Sequence, residues 1–345
     1  MKSHGRRNGR WREPRALAQA RKVHAAAVDR QEVLQFLFRR QWRNLRAYCA
    51  EQGVRIMGDM PIFTAHDSAD VWADADLFHL DAQGYPTVVA GVPPDYFSET
   101  GQRWGNPLYR WDIMKQRGYT WWCRRLSTLL GLVDLVRIDH FRGFESYWEI
   151  RADEETAING RWVPGPGAAL FHAFTRKLGP VPIIAEDLGV ITDAVDALRD
   201  ALKLPGMKVL QFILGNAEPE QLPADFPVRS VCYTGTHDND TTVGWFAQAG
   251  DAEREAVRRH LNTDGSRIHA AFLHAAWQAP SFLAVAPMQD VLGLGSESRL
   301  NLPGRPGGNW RWRFEQARLT PEVIADMHAL SRATGRLHET APPKH

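Results

Sequence analysis

The strongest constraint on the fold is a series of short apolar runs that continue almost without interruption and end in polar or glycine residues. A strand with one face in water alternates apolar and polar residues, whereas continuous runs are typical of parallel strands covered on both faces. Helical patterns separate most of the runs. Strand alternating with helix predicts an α/β fold built on a parallel sheet. The runs are 54–59, 132–139, 181–186, 207–212, 230–234 and 282–288.

The segments between the runs read mainly as helices. Residues 15–52 are rich in Ala, Leu, Gln, Glu and Arg, with apolar positions at helical spacing. Shorter helices are predicted over 168–178, 193–202, 251–261 and 267–277. The stretch between the first two runs is too long for one crossover and is dense in Pro, Gly, Trp and Tyr. We therefore expect a folded insertion at about 64–128.

Charge and cysteine content narrow the class of protein. The chain has 42 basic and 40 acidic residues, but residues 1–22 carry eight basic side chains and a single acid. A basic segment can bind nucleic acid, but no zinc spacing or RNP-type motif supports that function here. We therefore expect 1–22, like 337–345, to be a poorly ordered tail. Three scattered cysteines suit a reducing compartment. No secretory signal and no apolar run of about 18 residues is present. The expected location is cytoplasmic, without a membrane or nucleic-acid partner.

Carboxylates follow three of the predicted strands, at the end where α/β barrels build their active sites. They are Asp139, Glu186 and Asp238. Retaining cleavage of a glycosidic bond needs one ionised carboxylate and one protonated carboxylic acid about 5 Å apart. Arg137, two residues before Asp139 on the same strand, points the same way and would keep Asp139 ionised. Glu186 near that charge would have a raised pKa and serve first as acid, then as base.

Other interpretations of these acids remain open from the residues alone. Acids are common at strand ends and helix caps, and His237-Asp238-Asn239-Asp240 could suggest a metal ligand set. No further His or Cys lies near that segment, so no metal is predicted. No glycine-rich phosphate loop or Ser-His-Asp arrangement indicates another chemistry, and the expected reaction needs no cofactor.

Seven longer motifs make the pattern more specific. Together they resemble the amylomaltase family, also called 4-α-glucanotransferase or disproportionating enzyme (glycoside hydrolase family 77), and the likeness extends from about residue 30 to about residue 330. The motifs are GDMPIF at 58–63, HDSADVW at 66–72, GVPPDYFS at 91–98, GQRWGNP at 101–107, RIDHFRG at 137–143, EDLG at 186–189 and GTHDN at 235–239.

The resemblance implies a (β/α)8 barrel of the α-amylase clan that transfers segments of 1,4-α-glucans by retaining double displacement. It implies Asp139 as nucleophile, Glu186 as acid/base and Asp238 as the carboxylate that stabilises the transition state. The implied substrates are α-1,4-glucans, maltooligosaccharides and glucose. Expected substrate-binding residues are Asp59, Asp95, Tyr96, Gln102, Trp104, Arg137, His140, His237 and Asn301.

The chain departs from the family at its amino end, where the family has a further segment. We therefore expect one catalytic domain over 23–336 with about six of the eight barrel strands. Bare strand edges are an aggregation liability, so a complementing chain is a possible partner. Two alternative functions follow: an α-glucan hydrolase of the same clan, or an inactive fragment that binds glucan.

Overall fold

The strands of the computed structural model form parallel and antiparallel sheets within the described residues, which are 12–94, 98–305 and 307–337. The chain divides into two compact units, with the boundary between Leu204 and Pro205. The first unit contains β1 (Met57–Met60), β2 (Val88–Val92), β3 (Gln102–Pro107), β4 (Leu135–Ile138), β5 (Ser146–Arg151), β6 (Arg161–Pro164) and β7 (Ile183–Ala185), and the second contains β8 (Gly206–Val209), β9 (Ser230–Tyr233) and β10 (Leu283–Val285).

Helices occupy most of the segments predicted for them. No helix of the described ranges is long and apolar enough to cross a membrane. The α-helices are α1 (Pro14–Val23), α2 (Ala25–Glu51), α3 (Ala69–Ala73), α4 (Trp111–Gln116), α5 (Thr120–Leu130), α6 (Ala168–Leu178), α7 (Asp193–Ala201), α8 (Leu210–Leu214), α9 (Thr242–Gln248), α10 (Asp251–Leu261), α11 (Ile268–Gln278), α12 (Met288–Val291) and α13 (Pro321–Ala333).

Two three-stranded parallel sheets carry the strands that the apolar runs predict. Their orders are β1-β4-β7 in the first unit and β10-β9-β8 in the second. Each predicted run overlaps one of these strands, although the strands are shorter. β1 ends one residue after its run, at Met60, and β8 begins one residue before its run, at Gly206. The run 207–212 is only partly a strand, because β8 ends at Val209 and α8 begins at Leu210. A continuous apolar run fits a buried strand and a buried helix equally well, so periodicity could not separate the two.

The predicted insertion has different boundaries from those expected. A four-stranded antiparallel sheet, in the order β3-β2-β5-β6, takes two strands from before β4 and two from after it. Its central pairing joins Val88 to Arg151 and Gly91 to Trp148. Gly91 is required here because a Cβ would lie 2.2 Å from the carbonyl oxygen of Gln102. The insertion at 64–128 is therefore only part of a larger sheet.

The amino-terminal region contains a helix where a poorly ordered tail was expected. Residues 1–11 lie outside the described residues, but α1 covers most of the rest of the predicted tail. Pro14 occupies the first turn, and Arg21 and Lys22 lie in the last turn, where positive charge complements the helix dipole. The predicted tail over 1–22 stays a prediction, with the helix α1 in its second half. Most of the carboxyl-terminal tail, residues 338–345, lies outside the described residues.

The core of the first unit is rich in aromatic residues. Trp122, Phe144 and Phe174 are fully buried, and Trp122 meets Phe144 edge to face at 5.5 Å between ring centroids. Tyr109 is also buried, and its hydroxyl donates to the carbonyl of Ile62 at 2.7 Å. The second unit has its own smaller aliphatic and aromatic core, formed by residues such as Leu210, Leu214, Cys232, Val257 and Phe272. Each unit thus buries an apolar cluster of its own.

Replacing Phe144 with Ala should lower the free energy of unfolding of the first unit by about 3–5 kcal/mol, because the change leaves a cavity in a close-packed core. Urea denaturation followed by tryptophan fluorescence measures the effect. Phe36→Ala is the matched control, since Phe36 lies on α2 with 63% of its surface exposed, and it should cost under about 1 kcal/mol. Equal losses from the two variants would contradict the assigned core.

Candidate active site

The pairing of β1 with β4 brings Arg137 beside two carboxylates. Asp59 and Arg137 are register partners on the parallel strands, and Asp139 follows Arg137 by two residues. One guanidinium nitrogen, Nη1 of Arg137, lies 2.8 Å from Oδ1 of Asp59 and 3.0 Å from Oδ1 of Asp139. Only 8% of Arg137 is exposed, whereas both carboxylates keep two fifths of their side-chain surface open to solvent. A buried positive charge therefore lies beneath two accessible acids.

Asp139 and Glu186 leave neighbouring strands at the same level. Ile138 on β4 pairs with Ala185 on β7, and each carboxylate residue follows its paired residue directly. The Glu186 N–H donates to the carbonyl of Ile138 at 3.0 Å, and the Phe141 N–H donates to the carbonyl of Glu186 at 3.0 Å. Neighbouring strands are about 4.8 Å apart. The two acids therefore leave the sheet side by side, as a pair of carboxyl groups acting on one glycosidic bond requires.

Backbone donors hold the carboxyl group of Glu186. The N–H of His140 donates to Oε2 at 2.6 Å and the N–H of Leu188 donates to Oε1 at 3.0 Å. Burial nevertheless raises the pKa of Glu186 to about 7, with the negative charge of Asp139 adding to the shift and the Arg137 guanidinium opposing it. Near neutral pH, Glu186 can thus both give and accept a proton.

His140 connects Glu186 to an aromatic side chain. Its backbone is left-handed, with φ 52° and ψ 51°, and this conformation accompanies the hydrogen bond from its N–H to Glu186. Burial lowers the pKa of the imidazole to about 3, so the ring is neutral. The ring lies edge-on to Trp104 at 4.8 Å between centroids. Gly143 leaves the necessary space, because a Cβ there would lie 3.2 Å from Cδ2 of His140 and 2.7 Å from Cδ1 of Ile62.

Two predicted substrate-binding residues lie on β3. Gln102 and Trp104 are two positions apart, and the indole N–H of Trp104 donates to Oε1 of Gln102 at 3.1 Å. Trp104 is 39% exposed, which leaves indole surface for a ligand. The neighbouring predictions, Asp95 and Tyr96, lie outside the described residues.

A second group of predicted residues lies in the second unit, after β9. The side-chain amide of Asn301 donates to Oδ1 of Asp238 at 2.6 Å, and Nε2 of His237 lies 3.4 Å from Oδ2 of Asp238. Arg299, which the sequence did not indicate, donates to the backbone carbonyl of Asp238 at 2.7 Å and to that of Asn301 at 2.8 Å. The RLNLPG segment around Asn301 was the available signal for Arg299.

Hydroxyl and amide side chains shape the turn that carries Asp238. Oδ1 of Asn239 accepts from the N–H of Thr236 at 2.9 Å, and the hydroxyl oxygen of Thr236 accepts from the N–H of Asp238 at 3.2 Å. Below the turn, the fully buried Asp290 accepts from the hydroxyl of Thr234 at 2.6 Å. Asp290 also accepts from the N–H and hydroxyl of Thr242. Burial raises the pKa of Asp290 against these hydrogen bonds. No motif of the sequence indicates this anchoring role.

Among the residues that the structure describes, no three His, Cys, Asp or Glu side chains are grouped in a way that could hold a metal ion. The His237–Asp240 segment is instead occupied by hydrogen bonds within the turn and to neighbouring loops.

Comparison with known proteins identifies the family. A family model described as 4-alpha-glucanotransferase matches residues 4–319. The chain is 53% identical over 337 residues to the 4-alpha-glucanotransferase of Thermus thermophilus, covering 95% of this chain and 67% of that protein. It is 46% identical over 331 residues to the 4-alpha-glucanotransferase of Synechocystis, covering 94% of this chain and 66% of that protein.

The chain belongs to the 4-alpha-glucanotransferase family.

A solved structure supports the same assignment. The amylomaltase of Streptococcus agalactiae, solved in complex with acarbose, has 36% identity and a TM-score of 0.93, covering 96% of this chain and 68% of that one. The predicted fold class, an α/β barrel of the α-amylase clan, is thereby confirmed. The chain spans about two thirds of the length of these 4-alpha-glucanotransferases. The predicted strand count and complementing chain stay predictions.

The raised pKa of Glu186 should also affect stability. Between pH 4.5, the ordinary pKa of Glu, and about 7 the folded state retains a proton that the unfolded state has lost. The free energy of unfolding of the wild type should therefore fall over this interval. Glu186→Gln cannot titrate, so its melting temperature relative to wild type should rise between pH 5 and pH 8, as measured by calorimetry. The comparison at pH 4.5 is the internal control. A difference that stays constant with pH would contradict the buried-acid assignment.

Proposed function

We propose that this chain transfers a segment of a 1,4-α-D-glucan to the 4-hydroxyl group of an acceptor glucan or glucose through a glycosyl ester on Asp139. Membership of the 4-alpha-glucanotransferase family supports the reaction. The assignment of nucleophile and acid/base rests on the contrast between two neighbouring acids, Asp139 and Glu186. Asp139 lies against the Arg137 guanidinium, whereas burial gives Glu186 a pKa of about 7.

In the first half-reaction, the ionised Asp139 attacks the anomeric carbon of the donor glucan. A bond forms between this carbon and a carboxylate oxygen, and the bond to the glycosidic oxygen breaks. Glu186 gives its proton to that oxygen, so the leaving glucan departs with a neutral 4-hydroxyl group. Asp59 shares the Arg137 nitrogen with Asp139, and we assign it to hydroxyl groups of the same sugar.

In the second half-reaction, Glu186 acts as a base. Ester formation removes the negative charge of Asp139, which had helped to raise the pKa of Glu186. The carboxylate left on Glu186 is stabilised by the N–H groups of His140 and Leu188. It takes the proton of the acceptor 4-hydroxyl as that oxygen attacks the anomeric carbon. Asp139 is released and the α-configuration is restored.

We assign Asp238 to stabilisation of the transition state. Its carboxylate, held by the amide of Asn301, would bind ring hydroxyls more strongly in the flattened oxocarbenium-like sugar than in the relaxed chair. His237 would donate to the same sugar. The amylomaltase of Streptococcus agalactiae was solved with acarbose, and we expect acarbose to bind to this chain as well. The mechanism requires no cofactor.

Transfer requires that a sugar hydroxyl outcompete water. Water is present at about 55 M and an acceptor at about 10 mM, so the preference must approach about 10⁴, or about 5 kcal/mol. Acceptor binding and exclusion of water must supply it. The exposed indole of Trp104 beside His140 supports this role. Hydrolysis is the alternative outcome if the preference is smaller.

The reaction type can be read from products. With maltotriose as donor and acceptor, we expect glucose and a ladder of longer maltooligosaccharides by chromatography. Shortened products without longer ones would indicate a hydrolase. Failure to consume maltotriose, with no covalent adduct from a slow 5-fluoroglucosyl fluoride, would favour the inactive glucan-binding fragment.

The two acids should respond differently to the leaving group. Glu186→Gln should lower kcat/KM for maltotriose by about 10²–10⁴-fold, because the leaving oxygen receives no proton. It should lower kcat/KM for release of fluoride from α-maltosyl fluoride far less, since this ratio reports the first half-reaction and fluoride leaves without protonation. Asp139→Asn should abolish both reactions. Glu255→Gln, an exposed position on α10, is the matched control. Equal losses on the two substrates would contradict Glu186 as the acid.

The dependence of kcat/KM on pH gives an independent test of Glu186 as the acid. The first half-reaction needs protonated Glu186, so kcat/KM for maltotriose should fall as pH rises through about 7. The same fall in kcat/KM near pH 7 should be absent for α-maltosyl fluoride. If kcat/KM for α-maltosyl fluoride falls in the same pH range, a group other than Glu186 is responsible.

A further inference from the structure

Trp310 combines exposure with an unfavourable backbone conformation. Its φ is 59°, in the left-handed region that bulky L-residues rarely adopt. In addition, 60% of this large apolar side chain is exposed. Such a conformation at a non-glycine residue persists where the surrounding structure imposes it, and it often marks a functional position.

Hydrogen bonds of the loop impose this position. The N–H of Trp310 donates to the carbonyl of Leu300 at 2.7 Å. The preceding side chain, Asn309, accepts from the N–H of Leu302 at 3.0 Å and donates to the carbonyl of Arg305 at 3.0 Å. The backbone of Trp310 is thus joined to the segment that carries Asn301. The indole is presented by a constrained loop, whose residue 306 lies outside the described residues.

The indole lies beside the proposed sugar-binding group of the second unit. Its ring centroid is 5.4 Å from that of His237, with 39° between the planes. His237 in turn lies against Asp238, to which Asn301 donates. The loop from Arg299 to Trp310 therefore brings an amide to the Asp238 carboxylate and an exposed aromatic surface to the neighbouring imidazole.

We propose that Trp310 is a further glucan-binding residue, whose exposed indole stacks on a glucose unit next to the one held by His237 and Asp238. The inference rests on the proposed function. A glucose ring has apolar C–H faces and a polar hydroxyl rim. An indole on a constrained backbone can cover such a face at little cost in loop entropy, while His237, Asp238 and Asn301 bind hydroxyl groups.

The test separates binding from folding. Trp310→Gly removes the indole and places at this φ the residue best suited to it, so the variant should melt no lower than wild type. Its KM for maltotriose should rise about tenfold, with kcat within about twofold, and its affinity for maltoheptaose in a Glu186→Gln background should fall by a similar factor. Trp310→Phe should recover most of the affinity.

The matched control is Phe282→Ala in the same unit. Phe282 is 46% exposed and precedes β10, whereas His237 follows β9. Since the two strands are parallel, Phe282 lies at the amino end of the strands and His237 at the carboxyl end. This variant should keep wild-type KM and affinity.

The outcomes distinguish the two proposals. Unchanged KM and affinity in Trp310→Gly, with an active wild type, would overturn the stacking role alone. A lower melting temperature with unchanged affinity would overturn it too, in favour of a structural role. Absence of both transfer and maltoheptaose binding in the wild type would overturn the proposed function and this inference together.

Discussion

The contact of one buried guanidinium nitrogen with two carboxylates is the interaction on which the first group of site residues depends. Arg137 is placed by the register of β1 against β4, which makes Asp59 its lateral partner and leaves Asp139 on its own strand. Without the cation, two nearby carboxylates would repel each other. The same charge opposes the rise in the pKa of Glu186. Burial, Asp139 and Arg137 together therefore place that pKa near neutrality.

Asp139 and Asp238 have different kinds of partner. Asp139 is paired with a permanent cation, which favours its ionised form and suits the nucleophile role proposed for it. Asp238 instead accepts from a neutral amide and lies beside an imidazole. An amide orients a carboxylate without neutralising it, which suits the role proposed for Asp238 beside an oxocarbenium-like sugar. The two kinds of partner thus agree with the two roles proposed for these acids.

The sequence predicted the parallel strands and the acids at their ends because both depend on local signals. Continuous apolar runs mark buried strands, and the motifs around Asp139, Glu186 and Asp238 are long. What it missed depends on distant partners. The antiparallel sheet pairs Val88 with Arg151, and neither segment alone indicates the other. Arg299 and Asp290 act through contacts with residues about 50 to 60 positions away, and no periodicity records such a contact.

The pairing of β2 with β5 also has a consequence for synthesis on the ribosome. Trp104 lies on β3, whose partner β2 completes its hydrogen bonding only when residues 146–151 are available. These residues emerge after β4 and Asp139 have been made. The hairpin that carries Trp104 therefore remains partly unpaired while β4 and Asp139 are translated. Non-local pairing of this kind delays folding, and a pause in translation before residue 146 would prolong exposure of the β2 edge.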